Sequence, residues 1–257
     1  MITKAHRRKE ANIVAETLAL YTIDESICPK CKGEKGFHRN IDGSEYWEIC
    51  ECVKRQQEQK KLLELFSSAR IPKRYIGKSL DNFDQSWQPK AFKKAESYLQ
   101  DWNSLSQAGR GLIFAGSVGT GKTHLAFAIL LELLNRGIRG MAATVPDLMD
   151  DLRPKHGETS DRQMKQIETL KTIDLLLLDD LGAQRNTEWV TERLFIILNA
   201  RYNNMLPTVI TSNEKLEDLE ATPGWRRIID RIVEMCGVVV VDGESYRLHQ
   251  AKPVRKS

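Results

Sequence analysis

The sequence predicts a three-layer α/β domain, with helices on both faces of a parallel sheet, preceded by a small metal-binding amino-terminal module. Three observations predict it. From Gly111 onward, short apolar runs alternate with stretches of helical periodicity, the pattern of parallel strands joined by helices. The first of these runs ends in a glycine-rich turn that leads into a helical stretch. Four of the five cysteines fall between Cys28 and Cys52, and without a secretory signal such a cluster reads as metal ligands before disulfides.

The bounds come from composition. A chain of 257 residues holds one α/β domain of ordinary size and a small appendage. Apolar residues make up 41% and charged residues 29%, as in globular proteins. No run of 18 apolar residues occurs, so no membrane span is expected. His6, Arg7, Arg8, Lys9, Glu10 and Glu16 leave no apolar segment for a secretory signal, which points to the cytoplasm. The net charge of +4 and pI near 8.7 are compatible with nucleic-acid binding without requiring it.

Along the chain, Ile13, Val14, Leu18 and Tyr21 recur at helical spacing within residues 1–25. Residues 26–55 hold the cysteines, with Gly33, Gly36 and Gly43 marking turns. A charged helix over 53–69 ends before Pro72. Residues 1–70 thus form the amino-terminal module. Residues 71–108 are a linker and lead-in rich in aromatics (Tyr75, Phe83, Trp87, Phe92, Tyr98, Trp102), residues 109–250 the α/β domain, and 251–257 a basic tail. Strands are expected at 111–115, 140–145, 174–178, 208–212 and 238–241, and helices at 122–135, 160–170, 188–203 and 226–236. Cys236, at the end of an apolar helix, reads as a small buried hydrophobe.

The glycine-rich turn is Gly116-Ser117-Val118-Gly119-Thr120-Gly121-Lys122-Thr123, which fits G-x-x-x-x-G-K-[ST]. Its glycines permit positive φ and let backbone N–H groups close on phosphate oxygens. The helix that starts at Lys122 aims its positive dipole end at the same oxygens. Lys122 is expected to reach the β- and γ-phosphates of ATP, and the Thr123 hydroxyl to hold Mg²⁺. An apolar strand before the turn and a helix after it supply the context that a chance glycine turn lacks.

The run Leu175-Leu-Leu-Leu-Asp179-Asp180 reads as a buried central strand ending in two carboxylates, where α/β sheets bind ligands. Asp179 is expected in the Mg²⁺ shell and Asp180 as the base that deprotonates the attacking water. Aspartate also favours helix caps and turns. In Thr208-Val-Ile-Thr-Ser-Asn213, an apolar strand ends in polar residues and brings the Asn213 amide toward the γ-phosphate; a plain loop after a strand is the alternative.

Cys28-Pro-Lys-Cys31 and Cys50-Glu-Cys52 offer four thiolates for a closed tetrahedral Zn²⁺ site with no open position for chemistry. A segment this short builds no core of its own, so metal would supply its folding energy. His38 is an alternative fourth ligand or a surface histidine, and an iron–sulfur cluster is a further alternative.

Gly119-Thr-Gly-Lys-Thr-His-Leu-Ala126, Leu178-Asp-Asp-Leu-Gly182, Thr211-Ser-Asn213 and Ser245-Tyr-Arg247 together resemble the DnaC/DnaI/IstB branch of AAA+ ATPases, across roughly residues 71–247. Ile71-Pro-Lys-Arg-Tyr75 followed by Phe83 is similar to that branch's lead-in, and His124 after the loop threonine is typical of the initiator and helicase-loader clade. The resemblance implies P-loop NTPase architecture with strand order 5-1-4-3-2 and no carboxy-terminal lid domain. It implies an ATP-bound homo-oligomer in which a neighbouring subunit completes the site. Within Arg226-Arg-Ile-Ile-Asp-Arg231, Arg231 then matches the arginine finger, ahead of Arg226 and Arg227; a solvated basic face is the alternative. Asn213 matches the first sensor and Arg247 a nucleotide-sensing arginine. Asp180 stands where many AAA+ proteins carry Glu, which leaves the turnover rate open.

The implied function is a DNA-replication ATPase that delivers a hexameric, DnaB-like replicative helicase onto single-stranded DNA, with the zinc module gripping the helicase. In related ATPases the stretch around Arg153, Lys155, Arg162 and Lys165 faces the central channel, which makes these the candidate DNA contacts. The rivals are an IstB-like transposition helper, a nucleotide-gated adaptor that scarcely hydrolyses ATP and, more distantly, a small-molecule kinase.

Overall fold

The computed structural model describes residues 28–153 and 160–251. The helix expected within 1–25, the basic tail and Lys155 lie outside these residues. The chain divides into two compact units, Met1–Ser68 and Ala69–Ser257.

In the first unit, β1 (Gly36–Ile41) and β2 (Ser44–Ile49) form an antiparallel hairpin. Asp42 and Gly43 close it with φ of 53° and 84°, the left-handed pair that two-residue turns of this kind need. Helix α1 (Glu51–Ser68) starts directly after Cys50, two residues before the expected position, with acidic Glu51 in its first turn. All of β2 is exposed.

The second unit opens with a 3₁₀ turn, Lys73–Tyr75, and helices α2 (Pro89–Gln100) and α3 (Trp102–Gln107). Then come β3 (Gly111–Ala115), α4 (Lys122–Asn135), β4 (Gly140–Thr144), α5 (Val145–Asp151), α6 (Ser160–Thr172) and β5 (Leu175–Leu181). The chain continues through α7 (Glu188–Asn203), β6 (Thr208–Ser212), α8 (Leu216–Glu220), α9 (Arg226–Met235), β7 (Cys236–Val240) and α10 (Tyr246–Ala251). The five strands lie parallel in the order β4-β5-β6-β3-β7. Numbered from the first strand of this sheet, that is the expected 5-1-4-3-2.

Burial explains the layers. Every residue of β3 and β6 is buried, as central strands covered on both faces require. Ile113, Leu176, Leu178 and Ile210 share one apolar cluster with Leu194, Ile197 and Leu198 of α7 and with Ile228 and Ile232 of α9. Helix α4 is buried nearly all round, at Leu125, Phe127, Ile129, Leu130, Leu133 and Leu134, and packs against α2 as well as the sheet. Arg201 is fully buried and donates to Leu170 O (2.9 Å), Ile173 O (2.8 Å), Pro207 O (2.6 Å) and the Thr208 hydroxyl (2.9 Å). It thereby ties the end of α6 to the start of β6. Among the described residues no helix is long and apolar enough to cross a membrane.

Several boundaries shift by one to three residues, Val145 opening α5 instead of closing β4 among them, and two of the shifts matter for the site. Cys236 opens β7 instead of ending a helix; its backbone is extended (φ −117°, ψ 138°), and its buried thiol donates to Thr208 O at 3.4 Å. Strand β5 runs through Leu181, past the expected 178, because its pairing with β6 slips between Leu178 and Leu181. A run of four leucines signals burial, but not the bulge that follows them.

Candidate nucleotide site and cysteine cluster

A cleft of about 330 Å³ opens at the carboxyl end of the central strands, within the size range of small-molecule sites. The loop from Val118 to Thr123 forms its floor, and Asp180, Asn213, His124 and Arg247 reach its walls. The loop glycines adopt the positive φ expected of them, 139° at Gly116, 82° at Gly119 and 104° at Gly121. A Cβ on Gly121 would sit 2.7 Å from the Phe83 ring, so that position is closed to side chains for packing reasons too.

Lys122 is 4% exposed and donates to Gly116 O at 2.8 Å and to Ser117 O. Burial pulls its ammonium down to about 8, against the pull of the Asp180, Asp242 and Asp179 carboxylates. Asp179 is 1% exposed and accepts a 2.6 Å bond from the Thr211 hydroxyl. Burial raises its pKa, while the bond from Thr211 and the nearby Thr123 hydroxyl oppose the rise. Thr123 and Asp179, the two expected Mg²⁺ ligands, thus lie near each other.

The bulge sets Asp180. Its φ is 57°, a left-handed conformation unusual for a residue other than glycine. Two bonds hold it there: its amide donates to the Thr211 hydroxyl at 3.0 Å, and its carboxylate accepts from Asn213 Nδ2 at 3.0 Å. One hydroxyl, Thr211, thus orients both acids. Sequence reasoning singled out Asn213 from this strand end and missed Thr211, whose importance depends on pairing with β5.

His124 borders the cleft, but its ring turns to the lead-in. Its Nε2 donates to Ser79 O (2.9 Å), its ring makes a T-shaped contact with Phe83 at 5.1 Å between centroids, and burial lowers its pKa. Arg74, Tyr75, Phe83 and Trp87 of the lead-in also line the cleft. Their aromatic density was visible in the sequence; their place beside the phosphate loop was not.

Arg231 lies away from these cleft-lining groups. Its guanidinium stacks 4.5 Å over the Tyr202 ring, lies 3.5 Å from Glu234 and 3.6 Å from Asp230, and donates to Asn199 at 3.4 Å. Arg226 and Arg227 are both exposed, and Arg226 lies 3.9 Å from Glu220. Arg153, Arg162 and Lys165 are also exposed.

In the first unit, Cys28, Cys31, Cys50 and Cys52 bring their sulfurs within 4.8 Å of one another. Cys28 and Cys50 are 3.7 Å apart, Cys31 and Cys52 3.5 Å. Tetrahedral zinc with Zn–S bonds of about 2.3 Å separates its sulfurs by about 3.8 Å, so the cluster fits the ion. Backbone N–H groups of Cys31 and Lys30 pull the Cys28 thiol down to about 6, while desolvation and the neighbouring sulfurs push Cys52 up to about 12, as crowded thiols that cannot all ionise together require. His38 stands elsewhere, edge-on to Trp47 at 5.0 Å and 4.0 Å from Glu45.

Comparison with known proteins supports the same frame. The family of IstB-like ATP binding proteins matches residues 46–253. The phage-like element PBSX protein XkdC of Bacillus subtilis (strain 168) is 26% identical over 97% of this chain and 95% of its own length. The replicative helicase loader DnaI of the same organism is 28% identical over 81% of this chain and 70% of its own. The crystal structure of the DnaC helicase loader superposes with a TM-score of 0.55 and 32% identity, across 66% of this chain and 99% of that one.

Proposed function

The chain belongs to the IstB-like ATP binding protein family, and from that premise we propose that it is a DNA-replication ATPase that delivers a hexameric replicative helicase onto single-stranded DNA. One arrangement carries the reading: a closed, zinc-sized cluster of four sulfurs in one unit, and a nucleotide cleft with two oriented acids in the other. The likeness to named helicase loaders supports it.

In this reading Lys122 binds the β- and γ-phosphates, and Thr123 and Asp179 would hold Mg²⁺, which would supply positive charge against them. Asp180 takes the proton of the attacking water, and Asn213 keeps it in place. Arg247 contacts nucleotide, Arg231 completes the site of a neighbouring subunit, and the module around Cys28, Cys31, Cys50 and Cys52 grips the helicase. Arg153, Lys155, Arg162 and Lys165 contact DNA phosphates.

Co-purification with a hexameric replicative helicase, followed by ATP-dependent transfer of that helicase to single-stranded DNA, tests the proposal. Each neutralised DNA contact should flatten the slope of log affinity against log salt by about 0.7. A second reading, an IstB-like transposition helper, has the family match itself in its favour. Failure to bind helicase, together with ATP-dependent assembly on duplex DNA, would select that reading.

A further inference from the structure

The phosphate loop is clasped from an unexpected direction. Beyond β7, the chain runs past the loop and is stitched to it. Asp242 Oδ1 accepts from the Ser117 amide at 2.9 Å and from the Ser117 hydroxyl at 3.1 Å. Four residues later, the Tyr246 amide donates to Gly119 O at 2.9 Å. No gap separates the two segments: a Cβ on Gly116 would sit 2.5 Å from Asp242 Oδ1, and one on Gly119 would sit 2.1 Å from Ser245 Oγ. Arg247 follows at once and enters the cleft.

The lead-in closes the same clasp from the other side. Gln88 Nε2 donates to Asp242 O at 3.0 Å, and the Trp87 ring contacts Tyr246 at 5.3 Å and His249 at 5.0 Å between centroids. Trp87 lines the cleft.

We propose that Asp242 is a positioning residue for nucleotide binding, tying Ser117 of the phosphate loop to the segment that carries Arg247 so that loop and arginine act as one. The proposal rests on the nucleotide-site reading above. It explains an otherwise costly choice, an acid beside a site for a polyanion. The carboxylate supplies two charge-assisted acceptor bonds that a neutral side chain would make more weakly.

The test is a set of ATP-affinity measurements on the full chain with a fluorescent ATP analogue, with thermal melting as the check on folding. Asp242→Ala should bind about tenfold more weakly, the combined scale of the two lost bonds to Ser117. Asp242→Asn, which keeps the Oδ1 acceptor, should recover most of that loss. Arg247→Ala should weaken binding in the wild-type background and add little in the Asp242→Ala background, because the arginine is already misplaced there. A merely structural acid would give independent effects.

Wild-type affinity of Asp242→Ala, or fully independent effects of the two substitutions, overturns the clasp. Should Asp242→Ala not fold, Ser117→Ala reads the same contact from the other side. About threefold weaker binding is expected, on the scale of one of the two bonds, and unchanged binding is the contrary result. Lys122→Ala separates the two levels. If it binds ATP normally, the nucleotide site itself is misassigned; if it fails to bind while Asp242→Ala binds normally, only the clasp falls.

Discussion

The two units of this chain hold themselves together by different means. In the second unit, β3 and β6 are buried along their whole length and α4 on nearly every face, so a large apolar core supports the sheet. In the described part of the first unit, β2 is exposed at every residue, and Tyr46, Trp47, Ile41 and Ile49 lie open. What is buried there includes Cys31 and Cys50. One unit positions its polar site on a finished core; in the other, the cysteine cluster supplies two of the few buried side chains, with Phe66 of α1. A chemical insult to each should therefore have a different reach.

The largest expected effect follows from that contrast. Structural zinc contributes about 10–16 kcal/mol to small domains of this kind, so chelation or Cys31→Ser should unfold the hairpin. ATP binding by the second unit should stay unchanged. Amide exchange over residues 36–49 with and without chelator reads the first outcome, and elemental analysis should find about one zinc per chain. Retained protection in β1 and β2 after chelation, or iron with visible absorbance in place of zinc, would break the comparison.

The next effect is catalytic and tests whether the second unit, complete as a fold, is complete as a site. Arg231 is engaged with Tyr202, Glu234 and Asn199, away from the phosphate loop. In the β4-β5-β6-β3-β7 order, β3, which leads into the loop, lies between β6 and β7, and α9 lies on the stretch leading into β7. The finger reading therefore requires Arg231 to act on a neighbour. Arg231→Ala should lose on the order of 10³-fold in ATP turnover. Mixed with Lys122→Ala, itself inactive, it should recover part of the rate, because some interfaces then pair an intact pocket with an intact arginine. Full activity of Arg231→Ala alone would refute the role; no recovery on mixing would refute action in trans.

Asp180→Asn should cost somewhat less, about 10²-fold in rate, with ATP affinity retained. The amide cannot take the water's proton, while Asp179 still holds its bond to Thr211. Undiminished turnover would remove Asp180 as the base and turn attention to a water-mediated acid elsewhere in the cleft.

How much of this was readable beforehand divides along sequence distance. The phosphate loop, the paired acids and the cysteine pairs are local patterns, and a short window of sequence contains the physics that identifies them. Thr211 and Asp242 are different. Thr211 matters because β6 lies beside the bulge in β5, bringing its hydroxyl to residues more than thirty positions away. Asp242 matters because β7 lies beside β3, 125 positions from Ser117. Parallel pairing creates both contacts, and no short motif encodes it. The bulge at Asp180 was equally hidden, since an acid after four leucines looks the same whether the strand ends or slips.

The smallest effect concerns pH, and it separates the folded core from the charge it carries. Burial lowers Lys122 to about 8 from an ordinary value of 10.5. Between those values the unfolded chain binds more protons than the folded one, so this group makes the fold more stable as pH rises through that window. ATP binding has the opposite sign. The phosphates favour the ammonium, and the last phosphate ionisation lies near 6, so the ligand's charge is constant above pH 7.5. Affinity should be flat up to about pH 8 and then fall by up to tenfold per pH unit as the lysine loses its proton. Titration of a fluorescent ATP analogue between pH 7 and 9.5, with melting temperatures measured in parallel, should show affinity falling while Lys122 itself does not destabilise the fold. In Asp242→Asn, one carboxylate that helps keep Lys122 charged is gone, so the fall should begin at lower pH. An affinity that stays level to pH 9.5 in the wild-type protein would mean that the charge on Lys122 does not contribute to phosphate binding, however well the loop is placed.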